Sequence, residues 1–487
     1  MKDNVISIVL VGIGGYGEGY VDELLKKYYE GKLLAKYKGE KIFEVVGAVD
    51  PFPEKSKKLD LIKDKGIPIY NTLEEFYAVS RADLAVISSP IQFHREQVCL
   101  ALEKGSNVLC EKPISATVQD ARKMIEAEEK YGKFVAIGFQ WSYSDTIQKL
   151  KHDINQGLFG KPLRFKTIVL WPRDNKYFER GWAGKKKDSS GNWILDSVAS
   201  NATAHFLHNM FYVLGDKPDA SDYPVSIKAE LYRANDIENY DTAAFRIMTE
   251  KNVELLFLTT HAVQYREGPI FQYEFENAVI TCTQQQDKAG EIIVKFKDGT
   301  EKNYGKPDIM MKHLSDVLKS VMKDGKPTKI TKENNESVFR YDSEDAVVIY
   351  TREKEKPGDM IAKFKDGREI NYGKPDNTRK KLWMAIDSIR EGKPVLCGLK
   401  AAYPQVLTIN GAQESMPDIV TIPEKYIKIV DKFDENNATW KTIKYVEGLD
   451  DLFKDCYDKW KLPSEMNVPW AKEGREISLK DYTKFEG

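Results

Sequence analysis

Over the first ~140 residues, short runs of consecutive apolar positions alternate with stretches whose apolar positions recur at helical spacing. Residues 5–11 are apolar at nearly every position, the pattern of a strand buried on both faces. Glycines follow, and Tyr20–Tyr29 reads as an amphipathic helix. Phe43–Val49 is a second buried strand ending at Asp50-Pro51. The pattern then predicts a helix over Lys55–Lys63, a short strand over Pro68–Tyr70, a strand over Asp83–Pro90 and a helix over Glu96–Lys104. The strand Asn107–Cys110, the helix Val118–Tyr131 and the strand Phe134–Phe139 complete it. Such strict alternation predicts an α/β region, a Rossmann-type doubly wound parallel sheet, over residues 1–141.

Beyond Trp141 the pattern changes. Long alternating stretches (Leu163–Leu170, Val225–Tyr232, Thr242–Met248, Val253–Thr260, Gln272–Thr281) come with few helices, predicting an α+β domain with a large, mainly antiparallel open sheet over residues 142–487. One internal repeat lies within it. Lys295-Phe296-Lys297-Asp298-Gly299 followed by Asn303-Tyr304-Gly305-Lys306-Pro307-Asp308 returns as Lys363–Gly367 and Asn371–Asp376. Each copy reads as strand, Asp-Gly turn, strand and helix, a duplicated unit that extends the sheet.

At ~150 residues per domain, 487 residues suffice for two or three domains. Lys+Arg is 74 and Asp+Glu 75, a formal net charge of −1, which argues against a protein that coats nucleic acid or an anionic membrane. The five cysteines are scattered and odd in number, so they form no disulfide framework, and no C-x-x-C pair marks a metal site. With no apolar run long enough to span a bilayer, the expectation is a cytoplasmic protein.

The chemistry starts at Gly12-Ile13-Gly14-Gly15-Tyr16-Gly17, a G-x-G-x-x-G string between a buried strand and a helix. That placement suits a tight turn, close backbone approach to a pyrophosphate and amides at a helix N-terminus facing it. Asp50, closing the second strand, is the candidate for the ribose hydroxyls. It lies 33 residues past Gly17 because Tyr28–Lys41 lengthens the crossover. A carboxylate there accepts from a diol and repels a 2′-phosphate, so NAD is expected over NADP. The alternative is an aspartate that only starts a turn before Pro51.

Cys110-Glu111-Lys112-Pro113 ends the fifth strand, after Ala101-Leu102-Glu103-Lys104-Gly105-Ser106-Asn107-Val108-Leu109. With the earlier Ser88-Ser89-Pro90 and His94, this stretch resembles the Gfo/Idh/MocA dehydrogenases (glucose–fructose oxidoreductase, inositol dehydrogenase and rhizopine-catabolism proteins). The resemblance implies that Ser88, Ser89, Pro90, His94 and Glu111 join the cofactor site. It also implies that Lys112 lies beside the nicotinamide and stabilises negative charge on the substrate oxygen.

The family's second catalytic element, a helix with Asp, then His four residues on, then Asp three further, matches Leu195–His208. Anchored on Tyr212-Val213-Leu214-Gly215, the three positions are Asn201, His205 and His208. The i, i+4 spacing puts Asn201 and His205 on one helix face, with His205 as general acid/base or, alternatively, a core histidine. Asn201 cannot share a proton as the family's Asp does, and Asp196 is the candidate replacement carboxylate. His208 is either a substrate contact or structural. Upstream, Trp171, Arg173, Tyr177, Arg180 and Trp182 suit a polyhydroxylated ligand or simply pack the rim of a sheet.

These observations predict a nicotinamide-dependent oxidoreductase acting on a hydroxyl or carbonyl of a sugar, cyclitol or related polyol, without metal. Homodimers or homotetramers through the C-terminal sheet are expected by the same resemblance. Two alternatives stand beside it: an NAD-dependent glycoside hydrolase working by transient oxidation, and an NAD-binding sensor or scaffold whose chemistry is lost.

Overall fold

The computed structural model describes residues 5–27, 41–282, 289–296, 301–303, 329–333, 338–342, 346–352, 360–373, 379–434 and 439–487. The lengthened crossover at 28–40 lies outside them.

Six strands form the first sheet: β1 (Ile6–Val11), β2 (Phe43–Val49), β3 (Ile69–Tyr70), β4 (Leu84–Ile87), β5 (Asn107–Cys110) and β6 (Val135–Ile137). They pair in the order β3-β2-β1-β4-β5-β6, each pair parallel. The order reverses between β1 and β4, and at such a switch point a doubly wound sheet binds its ligand beyond the carboxyl ends of the strands. Ile8, Val9, Leu10 and Val11 are all buried, as a strand covered on both faces requires. The helix over Val118–Tyr131 is as expected, started by Thr117 capping Asp120 N and ended by Gly132 at φ +63. A helix over Leu73–Val79 was not expected. Its Thr72 cap accepts from Glu75 N, and Phe76 and Tyr77 fill the core beneath it.

The second sheet is mixed and mostly antiparallel. Its strands β7 (Pro162–Leu170), β8 (Pro224–Arg233), β9 (Thr242–Thr249), β10 (Glu254–Thr260), β11 (Glu267–Phe275) and β12 (Ala278–Cys282) run β12-β11-β7-β10-β9-β8, with β7 and β10 parallel. The stretch expected as one strand over Gln272–Thr281 breaks at Glu276-Asn277, and β12 folds back on β11. One face packs on the helices Ala204–Leu214 and Leu399–Ser415 in the same apolar cluster as the first sheet's helices. The other is covered by the helix Leu449–Lys459.

The repeat is used twice, differently. Its second copy, Met360–Phe364 and Glu369–Gly373, adds a hairpin to the edge of the second sheet beside β12. The first, Ala289–Phe296 with Glu301–Asn303, belongs to a separate five-stranded sheet. A hairpin's internal register does not dictate its outer neighbour, so only one copy extends the large sheet. The helix expected after the first copy lies outside the described residues. After the second, the helix Lys380–Glu391 leaves the expected 142–487 unit and buries Leu382, Trp383, Ala385 and Ile386 against Ile6, Ile8 and Leu10 of β1.

Candidate active site

The glycine string forms the turn out of β1. Gly12 (φ +78) accepts a left-handed backbone, and a Cβ there would lie 2.8 Å from Ser89 N. A Cβ on Gly17 would fall 2.0 Å from the Gly12 carbonyl. These two glycines close the loop against itself and against β4. Gly14 and Gly15 differ: a Cβ on either meets nothing within 4 Å, so their backbone faces open space. This is the cradle that close approach of a pyrophosphate requires, and the residues present fit a dinucleotide.

Side chains hold the loop from behind. Asp50 Oδ2 accepts from Ile13 N at 3.0 Å and Oδ1 from Phe52 N at 2.9 Å, fixing the carboxylate at the end of β2 beside the loop. Ser56 Oγ donates to the Ile13 carbonyl at 2.8 Å, and Ser88 Oγ to the Gly12 carbonyl at 2.7 Å. Ser89, ahead of exposed Pro90, bonds Gln97. His94 is buried, with Nδ1 2.9 Å from the Pro113 carbonyl and Nε2 2.9 Å from the Ser89 carbonyl. It braces the ends of β4 and β5 rather than opening onto the loop.

Glu111 is buried and accepts from Tyr20 OH and from Lys381 Nζ, and Lys381 also bonds the Gly138 carbonyl at 3.1 Å and Tyr16 OH at 3.2 Å. Lys381, 1% exposed, thus ties the helix Lys380–Glu391 to the glycine loop and to β5. Sequence reasoning missed it. The available signal was a charge on the apolar face of that helix, four residues before Ala385.

Lys112, half-buried after β5, donates from Nζ to both the backbone carbonyl and Oδ1 of Asn201, each at 2.7 Å. Asn201 Nδ2 donates onward to Asp196 Oδ1 at 2.9 Å, and Asp196 Oδ2 accepts from Gly184 N at 2.7 Å. An ammonium only donates and a carboxylate accepts, so the orientation of the Asn201 amide follows from its two neighbours. Burial pulls the Lys112 pKa down to about 8. Glu111 and Asp196 act against that shift, while Lys381 and Arg173 add to it. Burial raises Asp196 to about 6.

Asn201 does not share a regular helix face with His205. Val198–Ala202 form a π turn, held by a Ser197/Ser200 capping box and by Thr203, whose N and Oγ1 both bond the Val198 carbonyl. The α-helix starts only at Ala204. That extra residue in the turn sends Asn201 toward Lys112 and Asp196, so the i, i+4 expectation is corrected; such π turns recur at functional sites. His205, half-buried, sits edge-on to Phe139 at 5.8 Å, and its Nδ1 is buried without a hydrogen-bond partner. Burial first, then the charges of Lys112 and Lys381, hold its pKa well below the usual imidazole value. Asp196 therefore joins Lys112 and makes no bond to His205.

His208 is 1% exposed, stacked on Phe139 at 4.0 Å and 2.9 Å from Ser142 Oγ, deep in the core. Tyr177 and Trp182 meet at 6.4 Å, with Arg173 and Arg180 against the Tyr177 ring. Trp171 bonds the Gly268 carbonyl at 2.9 Å. Among the described residues no group of three or more His, Cys, Asp or Glu is placed to hold a metal ion, and no helix is long and apolar enough to cross a membrane.

Fold and loop define a Rossmann sheet whose glycine turn fits a dinucleotide, with an appended mixed-sheet domain. Residues 6–139 match the family model GFO_IDH_MocA, described as oxidoreductase family, NAD-binding Rossmann fold. Over these residues, about a quarter of its length, the chain is similar to the Gfo/Idh/MocA oxidoreductases. It is 28% identical over 150 residues to 1,5-anhydro-D-fructose reductase of Ensifer adhaerens, covering 30% of this chain and 42% of that one. It is 27% identical over 213 residues to an inositol 2-dehydrogenase/D-chiro-inositol 3-dehydrogenase of Shouchella clausii, covering 44% and 54%. The chain thus spans about half the length of the curated relatives it matches. Among solved structures, an oxidoreductase of Agrobacterium radiobacter in complex with NAD+, L-tartaric acid and magnesium superposes with a TM-score of 0.55 at 13% identity, covering 85% of this chain and 96% of that one. Aldose-aldose oxidoreductase of Caulobacter crescentus gives 0.54 at 13% identity, covering 84% and 98%. These structural likenesses establish the fold.

Proposed function

We propose that this protein is an NAD-dependent oxidoreductase that moves hydride between the cofactor and a hydroxyl or carbonyl carbon of a sugar or cyclitol. The names of its relatives support the substrate class. The observation that carries the reading is the Lys112–Asn201–Asp196 chain at the carboxyl edge of the sheet. An ammonium has three N–H donors, and Asn201 occupies two. The third is left for a substrate oxygen, where it stabilises charge that develops as the C–O bond changes order.

The bound nicotinamide supplies the hydride acceptor. On the protein side, His205 is neutral at pH 7 because its pKa is depressed, so it is ready to take the hydroxyl proton. Asn201 transmits the Asp196 charge to Lys112 without adding a second carboxylate, which would compete for a proton with Asp196. The asparagine that departs from the family pattern is thus integrated in the network, which weighs against a chemically silent sensor. Asp50 beside the loop supports NAD over NADP. Homo-oligomerisation and a cytoplasmic location belong to the same proposal. The five cysteines, four of them buried and none in a disulfide, suit a reducing compartment.

The test is formation of NADH, followed by absorbance, with a panel of sugars, cyclitols and sugar acids at saturating NAD. Turnover with one stereochemical series is expected. Cofactor binding without NADH formation from any member overturns the reading.

A further inference from the structure

Two guanidinium groups near Lys112 meet no carboxylate. Arg173 and Arg180 lie 4.9 and 4.8 Å from the centroid of the Tyr177 ring, and Arg180 is also 5.8 Å from that of Trp182. The carboxylates of the same stretch are engaged elsewhere. Asp174 pairs with Lys441 at 3.0 Å and caps Tyr177 N, Glu179 accepts from Asn175, and Asp196 is held by Gly184 and Asn201. Among the described residues neither arginine has an ion-pair partner, and Arg173 Nε is buried without a hydrogen bond.

His261 adds an independent observation. It is 2% exposed, and its ring packs on Tyr177 at 5.6 Å. Its Nδ1 lies 2.6 Å from the Trp171 carbonyl, which can only accept, so Nδ1 carries the hydrogen and Nε2 is a bare acceptor. That Nε2 is buried and has no partner. Burial and the Arg173 charge keep the ring neutral, with a pKa of about 3. The Arg173 charge is felt at Lys112 and that of Arg180 at Asp196, so both arginines flank the proposed reaction centre. Lys112, Lys381, Arg173 and Arg180 face two carboxylates there, Glu111 and Asp196, an excess of positive charge that a neutral polyol does not balance.

We propose that Arg173 and Arg180 bind an oxyanion of the substrate, making this an enzyme for acidic sugar or cyclitol derivatives, with His261 Nε2 accepting from a neighbouring substrate hydroxyl. Planar guanidinium groups match carboxylate and phosphate oxygens in bidentate geometry, and such charge-assisted bonds discriminate strongly against neutral isosteres. The proposal rests on the oxidoreductase reading for the identity of the ligand as substrate.

The experiment is calorimetry on the NADH-loaded protein with matched pairs: glucuronate against glucose, galacturonate against galactose, glucose 1-phosphate against glucose. At least one acid is expected to bind tenfold or more tightly than its neutral partner. Arg173→Gln and Arg180→Gln should each weaken that acid by roughly ten- to a hundredfold and the neutral partner by less than twofold. Arg180 is exposed, so its variant keeps the fold. Preference for the uronates identifies a carboxylate and preference for the sugar phosphate a phosphate; either supports the oxyanion site. The proposal is overturned if no acid binds better than its neutral partner, or if the acid's affinity is unchanged in both variants. Arginine-dependent acid binding without NADH formation defeats the oxidoreductase reading alone, whereas turnover of neutral sugars indifferent to both arginines defeats this proposal alone.

Discussion

The two walls of the proposed cleft are made of different material. The wall from the first sheet is backbone: a glycine turn closed on itself at Gly12 and Gly17, with Gly14 and Gly15 facing open space. The wall from the second domain is side chains on an irregular segment, with Asp196 before, Asn201 within and His205 after a π turn. A backbone site is set by residues that lack side chains, so a short string specifies it. A side-chain site depends on where one extra residue in a turn aims each group. The first wall is suited to holding a constant ligand and the second to selecting a variable one.

Substitutions sharpen that contrast. The largest effect is expected for His205→Asn, which removes the proposed proton acceptor and should lower turnover by about 10²–10⁴ while NAD affinity holds, as rapid-mixing kinetics and calorimetry can check. Near-normal turnover would move the proton elsewhere. Lys112→Ala follows, with a loss of roughly 10²–10³ in rate and little change in cofactor affinity. A sharp drop in melting temperature with rate preserved would make Lys112 structural.

The backbone wall is broken by adding a single methyl group. Gly17→Ala drives a methyl into the Gly12 carbonyl and should cost about 1–3 kcal/mol of stability, read in the melting temperature. Gly14→Ala meets nothing in the protein, so it should melt like the parent yet bind NAD more weakly. Equal behaviour of the two variants would contradict the assignment of Gly14 to the ligand face. Asp50→Ser should narrow the gap between NAD and NADP affinities by roughly tenfold, about the effect of removing one charge near a phosphate. An unchanged gap would remove Asp50 from the ribose.

What was legible in the sequence follows the same division. The six parallel strands, the Val118–Tyr131 helix and the loop were readable because each is encoded by local periodicity or by glycines. The grouping of Lys112 with Asn201 was not, since it depends on a π turn that helical spacing conceals. Lys381 was hidden because its partner Glu111 lies 270 residues earlier in the chain. His208 was ambiguous from spacing alone, and its stacking on Phe139 depends on how two elements pack. The unequal use of the repeated hairpin was likewise unreadable, because strand neighbours are chosen by tertiary packing.

The central claim is that Asp196, through Asn201, supports a Lys112 ammonium that must be charged when hydride moves. Lys112 has a pKa lowered to about 8, so kcat/KM for oxidation should fall as pH rises through that region and the ammonium is lost. The limb due to His205 lies well below pH 6.5. Asp196 favours the charged form of Lys112, so Asp196→Asn should move the alkaline limb to lower pH. The pH profile of kcat/KM, measured for the parent and Asp196→Asn where chemistry limits the rate, tests this directly. The account predicts an alkaline limb near pH 8 that shifts downward in the variant, and a limb absent from the parent, or unmoved by the substitution, would contradict it.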